Sequence, residues 1–81
     1  MTVLQLQVLK ILSLGSKYSK ALRYELKWNK SNPSFYQLMR RMKTNKLIDY
    51  TYVRIADHRE VIYSITTLGK KELKINLIKV N

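Results

Sequence analysis

The chain contains no cysteine, which excludes disulfides and thiolate metal ligation and is compatible with a reducing intracellular setting. It has a single histidine, His58, and one imidazole without a cysteine beside it cannot complete a metal-ligand set. Acidic residues are scarce as well. The five carboxylates, Glu25, Asp49, Asp57, Glu60 and Glu72, are scattered over different predicted elements, so no pair converges for general acid–base work. There is no HExxH pattern and no glycine-rich phosphate cradle, and the two glycines and one proline read as punctuation between elements. These absences argue against an enzyme and imply neither a metal nor a cofactor. Long apolar runs are missing too. The opening MTVLQLQVLKILSL is interrupted by Gln5, Gln7 and Lys10, lacks a basic leading region and has no small-residue cleavage site. Neither a signal peptide nor a membrane-spanning helix fits it. No internal repeat, low-complexity segment or linker is found.

What is present is positive charge. Sixteen Lys and Arg against five Asp and Glu give a net charge of +11 and a pI near 10.1. That excess goes well beyond the needs of solubility and points to a polyanionic partner. The basic residues are spread from Lys10 to Lys79, as on a folded basic surface and unlike a basic tail. An anionic membrane surface is the competing polyanion, although no membrane association is expected. With 46% hydrophobic residues in 81, the chain is expected to collapse into one compact domain spanning 1–81.

Along the chain, residues 2–14 place Leu4, Val8, Ile11 and Leu12 on one helical face, the spacing of a core-facing helix. Val3, Leu6 and Leu14 form a smaller strip on another side. That strip either contacts a second copy of the chain or is buried within the same one. Gly15 and Ser16 end this helix, and Ser19–Trp28 reads as a second, with Ser19 as N-cap and Ala21, Leu22, Leu26 and Trp28 turned inward. Lys17, Lys20, Arg23, Lys27 and Lys30 crowd around it, suited to a phosphate backbone.

The organising stretch is Asn32–Ile48, NPSFYQLMRRMKTNKLI. Asn32 suits an N-cap and Pro33 a first helical position, which predicts a helix over about 33–45. Phe35, Tyr36, Leu38, Met39 and Met42 share one side; Ser34, Gln37, Arg40, Arg41 and Thr44 share the other. Such a helix is ordinarily just a surface helix with a solvated face. Its polar side nevertheless carries the groups that read duplex DNA: an Arg fork matches the guanine O6/N7 edge or a phosphate, and a Gln amide matches the adenine N6/N7 edge. The helix before it and the polar turn NKSN complete the parts of a helix-turn-helix.

After Asn45 the period changes to two. LIDYTYVRI, residues 47–55, and EVIYSI, residues 60–65, read as strands joined by the turn ADHR. The hairpin would have a basic tip over about 54–60, where Arg54, His58 and Arg59 meet a minor groove or phosphates. Thr66 or Thr67 caps a last helix from about Leu68, with Leu68, Ile75 and Ile78 on one side and Leu73, Leu77 and Val80 on the other. The terminal helices, through Val3, Leu6, Leu73 and Leu77, are the candidate homodimer contact. Packing of the last helix over the first would account for the same residues. Most of the eight aromatic residues fall at core-like positions, leaving Tyr18 as the best candidate for exposure.

The predicted class is α+β: three helices, a two-stranded wing hairpin and a C-terminal helix, which is the order of a winged helix-turn-helix. Within that fold the sequence resembles transcription regulators of the PadR-like family and, more distantly, MarR-like proteins. The resemblance covers about residues 4–74 and rests most on SFYQLMRRMKTNKLI and REVIYSITTLGKKEL. It implies that Tyr36, Met39 and Met42 anchor the recognition helix in the core and that Tyr63, Ile65, Thr66 and Gly69 are structural. It also implies that Ser34, Gln37 and Arg41 stand where bases are read and that residues from Arg54 to Arg59 meet the backbone. Family members usually have Gly before the Leu-Ile step, where this chain has Lys46, so left-handed strain or an added phosphate contact is expected there. The last helix is shorter than the long dimerisation helix of many relatives, and no small-molecule effector cavity is expected.

The expected activity is therefore sequence-specific binding of double-stranded DNA by a cytoplasmic, nucleoid-associated regulator of prokaryotic or viral origin. Ser34, Gln37 and Arg41 would read bases, and Ser19, Lys20, Arg23, Arg40, Lys43, Arg54, His58 and Arg59 would meet the backbone. A module that docks on a protein or on RNA, without operator specificity, is the alternative from another class.

Overall fold

The computed structural model describes residues 1–80, with side chains through Ile78. In chain order the elements are α1 (Val3–Ser13), β1 (Lys17–Tyr18), α2 (Ser19–Glu25), α3 (Asn32–Thr44), β2 (Ile48–Ile55), β3 (His58–Ile65) and α4 (Thr67–Val80). The three strands form one antiparallel sheet in the order β1-β3-β2. This is the α+β winged helix expected, with one addition. The short β1 pairs Lys17 with Tyr63 and Tyr18 with Ile62; two residues carry no period from which a strand is recognised.

The helix starts are made by side chains. Thr2 and Gln5 form a reciprocal capping box on α1, Gln5 N–H donating to Thr2 Oγ1 and Thr2 N–H to Gln5 Oε1, each at 3.1 Å. Gln5 is buried as a result, and Leu9, outside the predicted strip, is fully buried with Val8 and Leu12, whereas Leu4 and Ile11 are only half-buried. The cap of α3 is Ser31, one residue earlier than predicted. Its Oγ accepts from Ser34 N–H at 3.3 Å, and Asn32 is already helical. Tyr18 precedes α2 without a side-chain cap, so Ser19 is the first helical residue, buried, and not a cap. Ala21, expected inside, is exposed.

Helices α2 and α3 end alike. Lys27 and Lys46 sit at φ +54° and +62°. Trp28 N–H donates to Arg23 C=O and Lys27 N–H to Tyr24 C=O; Leu47 N–H donates to Met42 C=O and Lys46 N–H to Lys43 C=O. Both are Schellman endings with lysine at the left-handed position that glycine ordinarily takes. The left-handed conformation expected at Lys46 is present, and it is repeated at Lys27.

Phe35, Met39 and Met42 of α3 are buried with Val8, Leu9, Leu12, Leu22, Leu47, Ile48, Tyr63 and Leu73. Phe35 is the hub of that core. Trp28 and Tyr63 meet its ring edge-on at centroid distances of 5.5 and 6.1 Å, arrangements worth about 0.5–1.5 kcal/mol each beyond area burial. Leu73, offered above as a dimer contact, belongs to this core, and Leu6 packs half-buried against it. Val3, Leu77 and Ile78 are exposed; Val80, also assigned to an apolar side, lies outside the described side chains.

Gly69 fixes the join between α3 and α4. A Cβ there would lie 2.1 Å from the Leu47 carbonyl oxygen. Thr66 caps α4, its Oγ1 accepting from Gly69 N–H at 2.9 Å and reaching the Lys46 and Leu47 carbonyls at 2.7 and 3.0 Å. The entry of the last helix is thereby tied to the exit of α3.

Candidate nucleic-acid interface

With Phe35, Met39 and Met42 held inside, helical periodicity turns Gln37, Arg40, Arg41 and Thr44 outward, and all four are exposed. Among the described residues no side-chain hydrogen bond or ion pair engages the Gln37 amide or the Arg40 and Arg41 guanidinium groups. Ser34 lies at the start of the helix, half-buried, its hydroxyl 2.9 Å from that of Ser31. The crest is therefore a set of open donors bounded by an internally satisfied serine.

Tyr36 departs from the expected core role. It is 43% exposed, on the flank of α3 that adjoins the sheet, and Arg23 Nη1 donates to its hydroxyl at 3.1 Å. The Arg23 guanidinium also lies over the Phe35 and Tyr36 rings. Two turns further along the same flank, Lys43 Nζ is 2.9 Å from Asp49 Oδ1 and 5.3 Å from the Tyr50 ring centroid. The hydrogen bond between Lys43 and Asp49 raises the lysine pKa and lowers that of the carboxyl. Lys43 is thus held in an ion pair at the edge of the sheet.

The hairpin turns at Ala56 and Asp57, so His58 and Arg59, read above as turn residues, begin β3. Ala56 has φ +53°, the first loop position at which two-residue hairpins prefer glycine. On one face of the hairpin the register pairs Ile48 with Ile65, Tyr50 with Tyr63, Tyr52 with Val61 and Arg54 with Arg59. This face grades from buried aliphatic through aromatic to two guanidinium groups at the tip. Like charges placed directly opposite weaken a hairpin, so the Arg54–Arg59 pair contributes nothing to folding. Arg59 lies over the Tyr52 ring at 5.0 Å. On the other face His58 Nε2 is 3.0 Å from Glu60 Oε1.

Between the flank of α3 and this graded face lies a cleft of about 240 Å³ lined by Tyr36, Met39, Arg40, Tyr50, Tyr52, Val61 and Tyr63. Tyr63, 3% exposed, forms its floor, and burial pushes its phenol up to about 12. A second, wider groove of about 700 Å³ runs between α2 and the hairpin, with Lys20, Tyr18, Tyr24, Ile55 and His58 among its walls. Ser19, expected at the backbone, is 5% exposed, which withdraws its hydroxyl from any surface contact. The periodicity did not mark Tyr36, Tyr50 and Tyr52 as an exposed group. The only signal for the last two was their shared strand face. Tyr18, singled out for exposure, is 37% exposed against 85% for Tyr24 and 55% for Tyr52.

Among the described residues no cluster of His, Cys, Asp and Glu is placed to hold a metal ion, and no helix is long and apolar enough to cross a membrane. A helix-turn-helix with an outward basic crest, followed by a hairpin with an arginine tip, defines a winged-helix protein. Comparison with solved structures gives a PadR family transcription regulator from Clostridium difficile at a TM-score of 0.84 and 19% identity, covering 96% of this chain and 86% of that one. Bacillus subtilis PadR in complex with operator DNA matches at a TM-score of 0.82 and 21% identity, over 96% of this chain and 48% of that one, so the chain spans about half of its length. A PadR-like transcriptional regulator from Bacillus cereus matches at a TM-score of 0.70 and 30% identity, over 89% of this chain and 75% of that one. No protein-family model and no curated protein matches the sequence. By its 30% identity over three quarters of the Bacillus cereus regulator, the chain belongs to the PadR-like family of transcriptional regulators, a family of DNA-linked regulators and not of enzymes.

Proposed function

We propose that the protein binds double-stranded DNA sequence-specifically as a transcriptional regulator, with α3 in the major groove and the hairpin tip on the adjoining backbone or minor groove. The observation that carries this reading is the crest of α3. Gln37, Arg40 and Arg41 are exposed and hold their donors free, while Lys43 on the same helix and Arg23 on α2 are already engaged within the chain. Gln37 and Arg41 read base edges, with Ser34 at the start of the helix. Lys20, Arg40, Arg54 and Arg59 face phosphates, and Arg23, Lys43 and His58 join them on exchanging their internal partners for the polyanion. The opposed Arg54 and Arg59 support the tip's role, since a polyanion relieves their repulsion. The Bacillus subtilis relative seen with operator DNA supports the same partner for this chain, acting in the cytoplasm.

The test separates reading from attraction. Arg41→Ala loses about 1–3 kcal/mol on a selected duplex and relaxes specificity, whereas Lys20→Ala weakens specific and random duplex alike and reduces the salt slope by about one. Equal losses for Arg41→Ala on both duplexes would remove its base-reading role. A wild-type protein that leaves random duplex unshifted at low salt would remove the regulator reading altogether and favour a protein-docking module.

The functional unit we infer is a homodimer joined through exposed apolar residues of the terminal helices, Val3 on α1 and Leu77 and Ile78 on α4. Sedimentation of Val3→Glu/Leu77→Glu against wild type tests it; a wild-type protein that sediments as a monomer at high concentration would refute it.

A further inference from the structure

The major and minor grooves of a duplex are separated everywhere by one sugar–phosphate strand. A protein with a helix in one groove and a hairpin tip in the next must straddle that strand. The surface between α3 and the hairpin is then a saddle, and its chemistry should suit a phosphodiester. In this protein that surface is the tyrosine cleft of about 240 Å³, several times the ~30 Å³ that one water occupies in the liquid and roomy enough for a phosphate group.

The lining agrees with an anionic occupant. Tyr36, Tyr50 and Tyr52 are 43, 36 and 55% exposed, so their rings are not spent on the core. Phenolic hydroxyls and guanidinium groups are among the usual donors to phosphate oxygens. No carboxylate is among the lining residues, and Asp49, next to Tyr50 on β2, is taken by Lys43. Each exposed ring carries a cation at its face: Arg23 at Tyr36, Lys43 at Tyr50 and Arg59 at Tyr52. The Tyr36 hydroxyl accepts from Arg23, which leaves its own proton to donate and strengthens that donation. Arg40, one turn after Tyr36 on the same flank, has no partner among the described residues.

We propose that this cleft seats the phosphodiester strand running between the two grooves, held by Arg40 and by the hydroxyls of Tyr36 and Tyr52. The proposal rests on the duplex-binding reading above and adds to it that tyrosines, absent from the base-reading and basic sets, fix how α3 and the wing sit across one backbone.

The test uses the full chain and a duplex selected from a randomised library. Tyr36→Phe and Tyr52→Phe keep the rings and the net charge, and circular dichroism and melting curves report whether each variant stays folded. Each is expected to weaken binding about tenfold or more, the scale of a hydrogen bond to a charged acceptor, with the salt slope unchanged. Arg40→Gln is expected to weaken binding and reduce the slope by about 0.9. Replacing single phosphates by neutral methylphosphonate, one position at a time, is expected to find one position where wild type loses affinity and Arg40→Gln loses no more. If wild type shifts no duplex, the regulator reading falls and this seat with it. If wild type binds while both phenylalanine variants bind equally well, the seat alone is refuted. Loss only with Tyr52→Ala, not with Tyr52→Phe, would make the ring a base-stacking surface and likewise refute it.

Discussion

Lys46 offers the sharpest test of how backbone strain is distributed in this chain. At φ +62° its Cβ crowds the following carbonyl, a conformation that costs an L-residue roughly 1–2 kcal/mol and glycine nothing. Against this, glycine loses about 0.4–1 kcal/mol more conformational entropy than alanine on folding. Both replacements remove the same charge from the end of α3, so any helix-dipole contribution or relief of the +11 net charge cancels between them. The quantity to measure is therefore the difference between Lys46→Gly and Lys46→Ala. The glycine variant should be more stable by about 0.5–1 kcal/mol, which for a domain of this size is a melting temperature higher by about 2–8 °C. Thermal unfolding by circular dichroism at one protein concentration decides it. If the two variants melt together, or the alanine variant melts higher, the left-handed strain assigned to Lys46 is refuted. Lys27, at φ +54° in the same kind of helix ending, should repeat the result.

Other predictions follow from single contacts. Gly69→Ala brings a methyl group to 2.1 Å from a backbone carbonyl and should cost about 1–3 kcal/mol, more than the ~1 kcal/mol that alanine gains in a helix; a rise in denaturant midpoint would contradict the close approach. Ala56→Gly relieves φ +53° in the hairpin turn and should raise the melting temperature; a lower one would contradict the strained turn. Asp49→Asn releases Lys43 and should tighten duplex binding, since Lys43 no longer gives up a partner to meet a phosphate; an unchanged affinity would show that Lys43 stays off the phosphates. The same pair has a defined pH signature. Because the folded Asp49 pKa is lowered and that of Lys43 raised, its small contribution is present between the two, fades as pH falls through the depressed carboxyl value, and fades again as pH rises through the elevated lysine value. Acid titration of wild type against Asp49→Asn checks the lower limb.

The helices and the hairpin were legible because their periods are long enough to show. Phe35, Met39 and Met42 repeat at helical spacing, and Tyr50, Tyr52 and Arg54 alternate over a full strand. What stayed hidden depends on pairings distant in sequence. β1 exists only because two residues meet Tyr63 and Ile62 across the fold, and Tyr36 falls at the edge of the apolar arc of α3, where the position of the sheet decides its exposure. The capping box of Thr2 and Gln5 has its full signature in the sequence, yet it stands in an apolar stretch where the pattern of burial dominates the reading. At the interface, outward Gln37, Arg40 and Arg41 followed from the buried side of their helix. The engagement of Lys43 by Asp49, the withdrawal of Ser19 and the gathering of tyrosines did not, since each requires knowing which strand lies beside α3.

The joint at Leu47 has a mechanical consequence. Thr66 bridges to the last two carbonyls before β2, and Gly69 lets α4 rest against one of them without a spacer. The closing helix is thus hinged on the heel of α3, and a twist applied to its far end has little slack in which to be lost before it turns that helix with it.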